Sequence, residues 1–233
     1  MRHEDAPDRE WVAALANVSP AQAERALDEA QNEHALFRHL ERMHREGGRT
    51  SYVEIDAPLE LYALIRLLRP AHVVEVGVSS GVSSAYLLKA MDRLGRGTLH
   101  SVDLPKLEVL RPDGHRSRYA SWALPPGRSS GWAVPFPLRK RWDLRLGNKK
   151  DVLPLLAEEL VTVDIFLYDV PHSDPQSFGE FRQIGRRFHP GSVALVDHGG
   201  TEEICPSLAR WAKTRRGRAL RRSGLGLSAF RSR

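Results

Sequence analysis

A short apolar run that turns on two glycines and continues into a helical pattern leaves few folds open to a chain. Here the run is His72 to Val76, β-branched and apolar apart from Glu75, as a parallel strand buried on both faces requires. Gly77 and Gly81 bracket Val78-Ser79-Ser80, where missing Cβ atoms allow a sharp turn and a close approach to a ligand. A helix is predicted over 82–94, with Tyr86, Leu87, Leu88 and Met91 as its apolar positions and Gly95 and Gly97 ending it. Thr98 to Val102 then read as a second strand, closed by Asp103. An acid at that point can accept hydrogen bonds from the vicinal hydroxyls of a ribose, while the helix N-terminus faces an anionic group, so a nucleoside-bearing cofactor is expected. The spacing of Gly77 and Gly81 departs from the dinucleotide fingerprint G-x-G-x-x-G and argues against NAD.

The flanking sequence extends this βαβ unit in both directions. Ser19-Pro20-Ala21-Gln22 is a capping-box sequence, predicting one helix from there to about Glu46, stopped by Gly47-Gly48. Its stripe of Leu36, Leu40 and Met43 would pack on the main domain or seat a second copy of the chain, a route to a homo-oligomer. Residues 1–50 are therefore expected to form a helical extension to a domain over 51–233. Asp56 would cap a helix over about 57–69, ended by Pro70. Periodicity is lost over 104–141, a stretch dense in Pro, Gly, Arg and Ser that carries Trp122 and Trp132. A loop of that length beside the cofactor is expected to act as a lid.

Beyond it, strands are predicted over 143–146, 163–168 and 192–196, with helices over about 149–160, 177–188 and 202–214 and final strands near 218–222 and 226–231. Gly147-Asn148, Asp169 and Asp197-His198 all fall just after strands, along one crevice of a doubly wound, mostly parallel seven-stranded α/β sheet whose last hairpin adds an antiparallel strand.

Composition narrows the classes. A chain of 233 residues with 41% hydrophobic residues can bury one sizeable core. Cys205 is the only cysteine, and the N-terminus lacks the apolar core of a signal peptide, so a cytoplasmic protein with no membrane segment is expected. The net charge of +6 owes much to Arg210, Lys213, Arg215, Arg216, Arg218, Arg221, Arg222, Arg231 and Arg233. Aromatic interleaving for base stacking is sparse there, so a solvated face is favoured over nucleic-acid binding.

Glu75-x-Gly77-x-x-x-Gly81, with Asp103 closing the next strand, resembles the first two motifs of class I S-adenosylmethionine-dependent methyltransferases. Residues 130–181 and 189–200 are similar to one such family, which contains the cephalosporin hydroxylase-like proteins and the macrolide-sugar O-methyltransferases. The resemblance spans about 57–200, and its most specific parts are the tryptophan-proline lead-in, Asp169-x-x-His172 and the polar pair after the fifth strand. It implies a Rossmann-like methyltransferase fold and O-methylation of a small polar natural-product or sugar hydroxyl. It places the cofactor on Glu75, Gly77, Ser79, Ser80, Gly81, Asp103, Gly147, Asn148 and Asp169. His172 would be the general base, with Asp169 beside it, and Asp169, Asp197 and His198 would hold a divalent metal. A histidine at 198, where an acid is common, shifts the preference from magnesium toward manganese, iron, nickel or zinc, and Asp174 replaces a usual aromatic. Chemistry without metal, an RNA methyltransferase using the basic C-terminus, and a non-catalytic S-adenosylmethionine-binding protein stay open at this level.

Overall fold

The computed structural model describes residues 7–47, 58–104, 124–125, 127–170, 174–197, 205–222 and 227–233. Seven strands form one sheet in the order β3-β2-β1-β4-β5-β7-β6. They are β1 (His72–Val76), β2 (Thr98–Asp103), β3 (Trp142–Leu146), β4 (Val163–Tyr168), β5 (Phe188–Asp197), β6 (Gly217–Arg221) and β7 (Leu227–Ser232). The first five are mutually parallel, and β7 runs antiparallel between β5 and β6. The expected doubly wound sheet with an antiparallel edge is therefore present. The Ser223-Gly224 turn lies outside the described residues.

The buried strands put alternate side chains into two separate cores. Val73, Leu99, Ile165, Leu167, Val193, Leu195 and Ala229 face one side, covered by α4 (Pro58–Leu68) and α5 (Val82–Leu94). Val74, Val76, Val102, Phe166, Ala194, Val196 and Phe230 face the other, covered by α6 (Lys149–Glu159), α7 (Asp174–Gly185) and α8 (Pro206–Ala212). The second face is rich in rings, with Trp211 packed edge-on against both Phe230 and Phe188.

The N-terminal segment folds as three helices, α1 (Arg9–Ala16), α2 (Pro20–Gln31) and α3 (His34–Gly47), instead of the single long helix expected from Pro20 onward. The capping box at Ser19 and Gln22 is formed in both directions. The break falls at Asn32-Glu33. Asn32 Nδ2 donates to the Asp28 carbonyl at 2.8 Å, closing α2. Glu33 is buried and pairs with Arg93 at 2.6 Å and Lys89 at 3.4 Å, both on α5, so an ion-pair cluster outweighs local helix propensity. Leu36 and Leu40 are buried in the same core as α4 and α5, so the stripe on α3 packs on its own chain. Helix α1, which periodicity left unread, is marked by Asp8, whose carboxylate accepts from Trp11 N at 2.9 Å.

Two smaller differences have local causes. Strand β5 begins at Phe188 rather than Ser192, with a register shift against β4 between Val163 and Ile165 and Gly191 at φ +95°. Helix α7 starts and ends about a turn early, at Asp174 and Gly185; a Cβ on Gly185 would lie 2.5 Å from the Trp211 ring, so the close packing of α8 needs a glycine there. Among the described residues no helix is long and apolar enough to cross a membrane.

Arg222, counted in the sequence with a solvated basic face, is instead buried. Its Nε donates to Glu60 Oε1 on α4 at 2.7 Å, and the same oxygen accepts from Asp8 N at 3.1 Å. One carboxylate thus joins α1, α4 and the end of β6. Removing one partner of a buried pair is strongly destabilising. Glu60→Ala is expected to lower the unfolding free energy by about 3–5 kcal/mol in urea denaturation, with a smaller loss for Glu60→Gln.

Candidate functional site

The crevice lies at the carboxyl ends of the parallel strands, and its floor is the turn from β1 to α5. Gly77 sits at φ +93°, and a Cβ there would fall 1.8 Å from the Asp169 carbonyl oxygen. Gly77 N donates to the Val102 carbonyl at 3.0 Å, and Asp169 N donates to the Val76 carbonyl at 2.8 Å. The ends of β1, β2 and β4 are therefore tied together at Val76-Gly77. Ser79 takes the left-handed conformation at φ +49°, and Gly81, at φ +91°, precedes the first turn of α5. Ser80 is buried, and its Oγ is a buried polar atom without a partner among the described residues.

Glu75, expected in the cofactor cradle, is placed behind it. The residue is fully buried, and its carboxylate accepts from Ser83 Oγ at 2.6 Å, Ser84 Oγ at 2.7 Å and Ser101 Oγ at 2.6 Å. Trp142 Nε1 donates to Ser101 Oγ at 2.8 Å and carries the network on to β3. Burial pushes the Glu75 carboxyl above its ordinary value, against the pull of the three hydroxyls, and the charge of Asp103 adds to the rise.

Asp103 ends β2 beside the turn. Its Oδ1 accepts from Val78 N at 3.2 Å and its Oδ2 from the hydroxyl of Ser130. Ser130 belongs to the long aperiodic stretch, whose described part is ordered by contacts with the turn. Gly131 N donates to the Ser79 carbonyl at 2.8 Å and Ala133 N to the Ser80 carbonyl at 3.0 Å. A Cβ on Gly81 would meet Val134 Cγ2 at 2.6 Å and Gly131 Cα at 2.8 Å, so Gly81 is required for this approach. A 3-10 helix at Phe136–Arg141 then leads into β3. Residues 105–123, including Trp122, lie outside the described residues, as does most of the segment expected to form a lid.

At the end of β3, Gly147 N donates to the Asp103 carbonyl at 2.9 Å, which brings the Gly147-Asn148 turn to the same rim. Asn148 Oδ1 accepts from Lys150 N at 3.0 Å and caps α6. Next to it lies a polar cluster that sequence reasoning missed. Lys149 Nζ donates to Glu180 Oε2 at 2.9 Å, and the Tyr168 hydroxyl donates to the same oxygen. Burial raises the Tyr168 phenol well above its usual range, and Glu180 adds to the rise. No spacing rule in the sequence links these three, because they come from α6, β4 and α7.

The pairing of Tyr168 with Val196 makes Asp169 and Asp197 neighbours at the ends of β4 and β5. Two of the expected metal ligands are thus adjacent in the fold. His172 and His198 lie outside the described residues. Among the described residues no group of three or more His, Cys, Asp or Glu side chains could hold a metal ion.

A reversed β7 in a seven-stranded sheet, with a glycine turn after β1 and an acid ending β2, defines a Rossmann-like methyltransferase fold. The sequence profile described as "Methyltransferase domain" matches residues 74–198, and the chain belongs to that family. No curated protein matches the chain. Solved structures agree on the fold. The O-methyltransferase TomG from Streptomyces achromogenes, in complex with SAM, is 16% identical with a TM-score of 0.53 over 85% of this chain and 90% of its own. The SAH-bound Podospora anserina methyltransferase PaMTH1 is 12% identical with a TM-score of 0.55, over 85% and 88%. Cofactor-bound Rv0187 from MTB is 16% identical with a TM-score of 0.52, over 100% and 99%.

Glu75 generates a pH prediction. In the folded chain its carboxyl keeps a proton above the ordinary 4.5, where the unfolded chain has already released it. Folding therefore takes up a proton in that window, and the contribution of Glu75 to stability falls as pH rises. Glu75→Gln removes this titration. The stability difference between variant and wild type is expected to move in favour of the variant as pH is raised above 4.5, read by denaturant titration at each pH.

Proposed function

We propose that the chain transfers the methyl group of S-adenosylmethionine to a hydroxyl of a small polar natural product or sugar. The observation that carries this reading is the Asp103 carboxylate, held at the end of β2 beside the glycine turn with acceptor capacity left on each oxygen. An adenosine-bearing cation fits what is present. Asp103 would accept from the ribose hydroxyls, the turn from Gly77 to Gly81 would wrap the amino-acid end beside the orphan Ser80 hydroxyl, and Gly147-Asn148 would border the base. Two of the solved structures with this fold carry SAM or SAH by their own descriptions, which supports the cofactor.

The sulfonium supplies an already activated methyl group. The chain's own residues have to align the acceptor oxygen for in-line attack and remove its proton. We assign the proton to His172, because an imidazole with an ordinary pKa of about 6.5 accepts protons near neutrality. Asp169 positions it. Asp169 and Asp197, neighbours in the fold, would be joined by His198 if a metal takes part. Such a metal would lower the pKa of the acceptor hydroxyl.

Calorimetry with S-adenosylhomocysteine tests the cofactor site. Asp103→Ala is expected to bind at least about tenfold more weakly, from loss of charge-assisted hydrogen bonds, and an unchanged affinity would remove the ribose assignment.

The base is tested by turnover on a panel of hydroxylated acceptors. His172→Ala should lower kcat by about 10²–10⁴ while leaving cofactor affinity intact. Full activity of that variant would overturn the mechanism. Excess chelator should abolish turnover if a metal assists, with manganese, iron or nickel restoring it better than magnesium.

A further inference from the structure

The described part of the insertion does more than cover the turn. Ser130 is buried, at 4% exposure, and its hydroxyl donates to Asp103 Oδ2. Its position is fixed by contacts of the residues that follow it. Gly131 and Ala133 donate their backbone N–H groups to Ser79 and Ser80. Arg139 Nε donates to the Val134 carbonyl at 3.2 Å, and His39 Nε2 of α3 lies 2.9 Å from the Ala133 carbonyl oxygen. Gly131 has φ +68°, and a Cβ there would fall 2.0 Å from Trp142 Cη2, so the tight turn that aims Ser130 at Asp103 is possible only with glycine next to it.

A carboxylate has about four lone-pair sites, two on each oxygen. In this protein Val78 N takes one site on Oδ1 and Ser130 Oγ takes one on Oδ2. One site is left on each oxygen, which is the arrangement that suits the two donors of a vicinal diol. The carboxylate is also prevented from rotating, because both oxygens are pinned. We infer that Ser130 is a positioning residue of the cofactor site, which presets the Asp103 carboxylate for a ribose diol and so sets cofactor affinity from within the insertion. The inference rests on the reading of Asp103 as the ribose acceptor. It adds that the described segment around Ser130 forms one wall of that site.

A double-mutant cycle on the full chain separates the two claims. Wild type, Asp103→Ala, Ser130→Ala and the double variant are titrated with S-adenosylhomocysteine, and thermal melting without ligand reports folding. Ser130→Ala should weaken binding by about tenfold, and it should add less than about twofold once Asp103 is gone, because its effect passes through that carboxylate. Turnover should show the loss in KM for S-adenosylmethionine, with kcat near wild type at saturation. Ser130→Cys keeps the volume and weakens the donor, so it should fall between wild type and Ser130→Ala, and it decides the matter if the alanine variant does not fold. Wild-type affinity in both Ser130 variants, with Asp103→Ala impaired, overturns the role of Ser130 and leaves the ribose assignment standing. Losses that add fully in the double variant overturn it as well, since they mark a general packing defect. Unchanged binding in Asp103→Ala overturns both.

Discussion

The carboxylate of Glu75 is the point on which the cofactor-side architecture depends. An ionisable group in the middle of a central parallel strand is costly to bury, and the chain offsets that cost with three serine hydroxyls from two other elements. Ser83 and Ser84 are in the first turn of α5, and Ser101 is on β2. The carboxylate therefore sets the start of α5 relative to β1 and β2, and through Ser101 and Trp142 it reaches β3. A turn that must present backbone groups to a ligand needs fixed ends, and this network supplies them from the interior side.

On the crevice side the same turn is held by close backbone approach. Gly77 admits the Asp169 carbonyl, and Gly81 admits the segment around Gly131. Contacts of this kind tolerate no added carbon, whereas the hydroxyl network behind them depends on donor and acceptor count. The turn is thus constrained sterically on one face and by hydrogen bonding on the other. The N-terminal helices join this arrangement through contacts that include Glu33 with α5, His39 with Ala133 and Glu46 with Arg128. An extension that reads in the sequence as an appendage is continuous with the core that supports the site.

Much of this was legible wherever local chemistry decides. Helix α5 spans Val82–Leu94 as its glycine boundaries predict, and β4 spans Val163–Tyr168 as its apolar run predicts, because periodicity and backbone freedom act over a few residues. The acid ending β2 was readable for the same reason. Illegible features were set by partners far away in sequence. Glu33 breaks a helix because of Arg93, 60 residues on, and Arg222 leaves the basic face because Glu60 is 162 residues before it. Ser130 reaches Asp103 across the aperiodic stretch, and Lys149, Tyr168 and Glu180 meet only once α6 and α7 have packed on the sheet. Glu75 was read toward the cofactor because its place in the motif is visible in the sequence, while the direction of its side chain depends on which face of β1 is already occupied.

The indole of Trp142 joins features that otherwise belong to separate parts of the molecule. One end donates to Ser101 in the buried network, and the other lies against the backbone of Gly131, the neighbour of Ser130. The guanidinium of Arg139 sits 5.9 Å from the ring centroid. An indole is sensitive to nearby charge and to the polarity of what covers it, and the surroundings of this one are set by the buried network at one end and by the segment beside Ser130 at the other. Trp142 is one of five tryptophans in the chain, so a variant that keeps it as the sole indole would carry an optical probe at the junction of interior and crevice, read by light emission with no label attached.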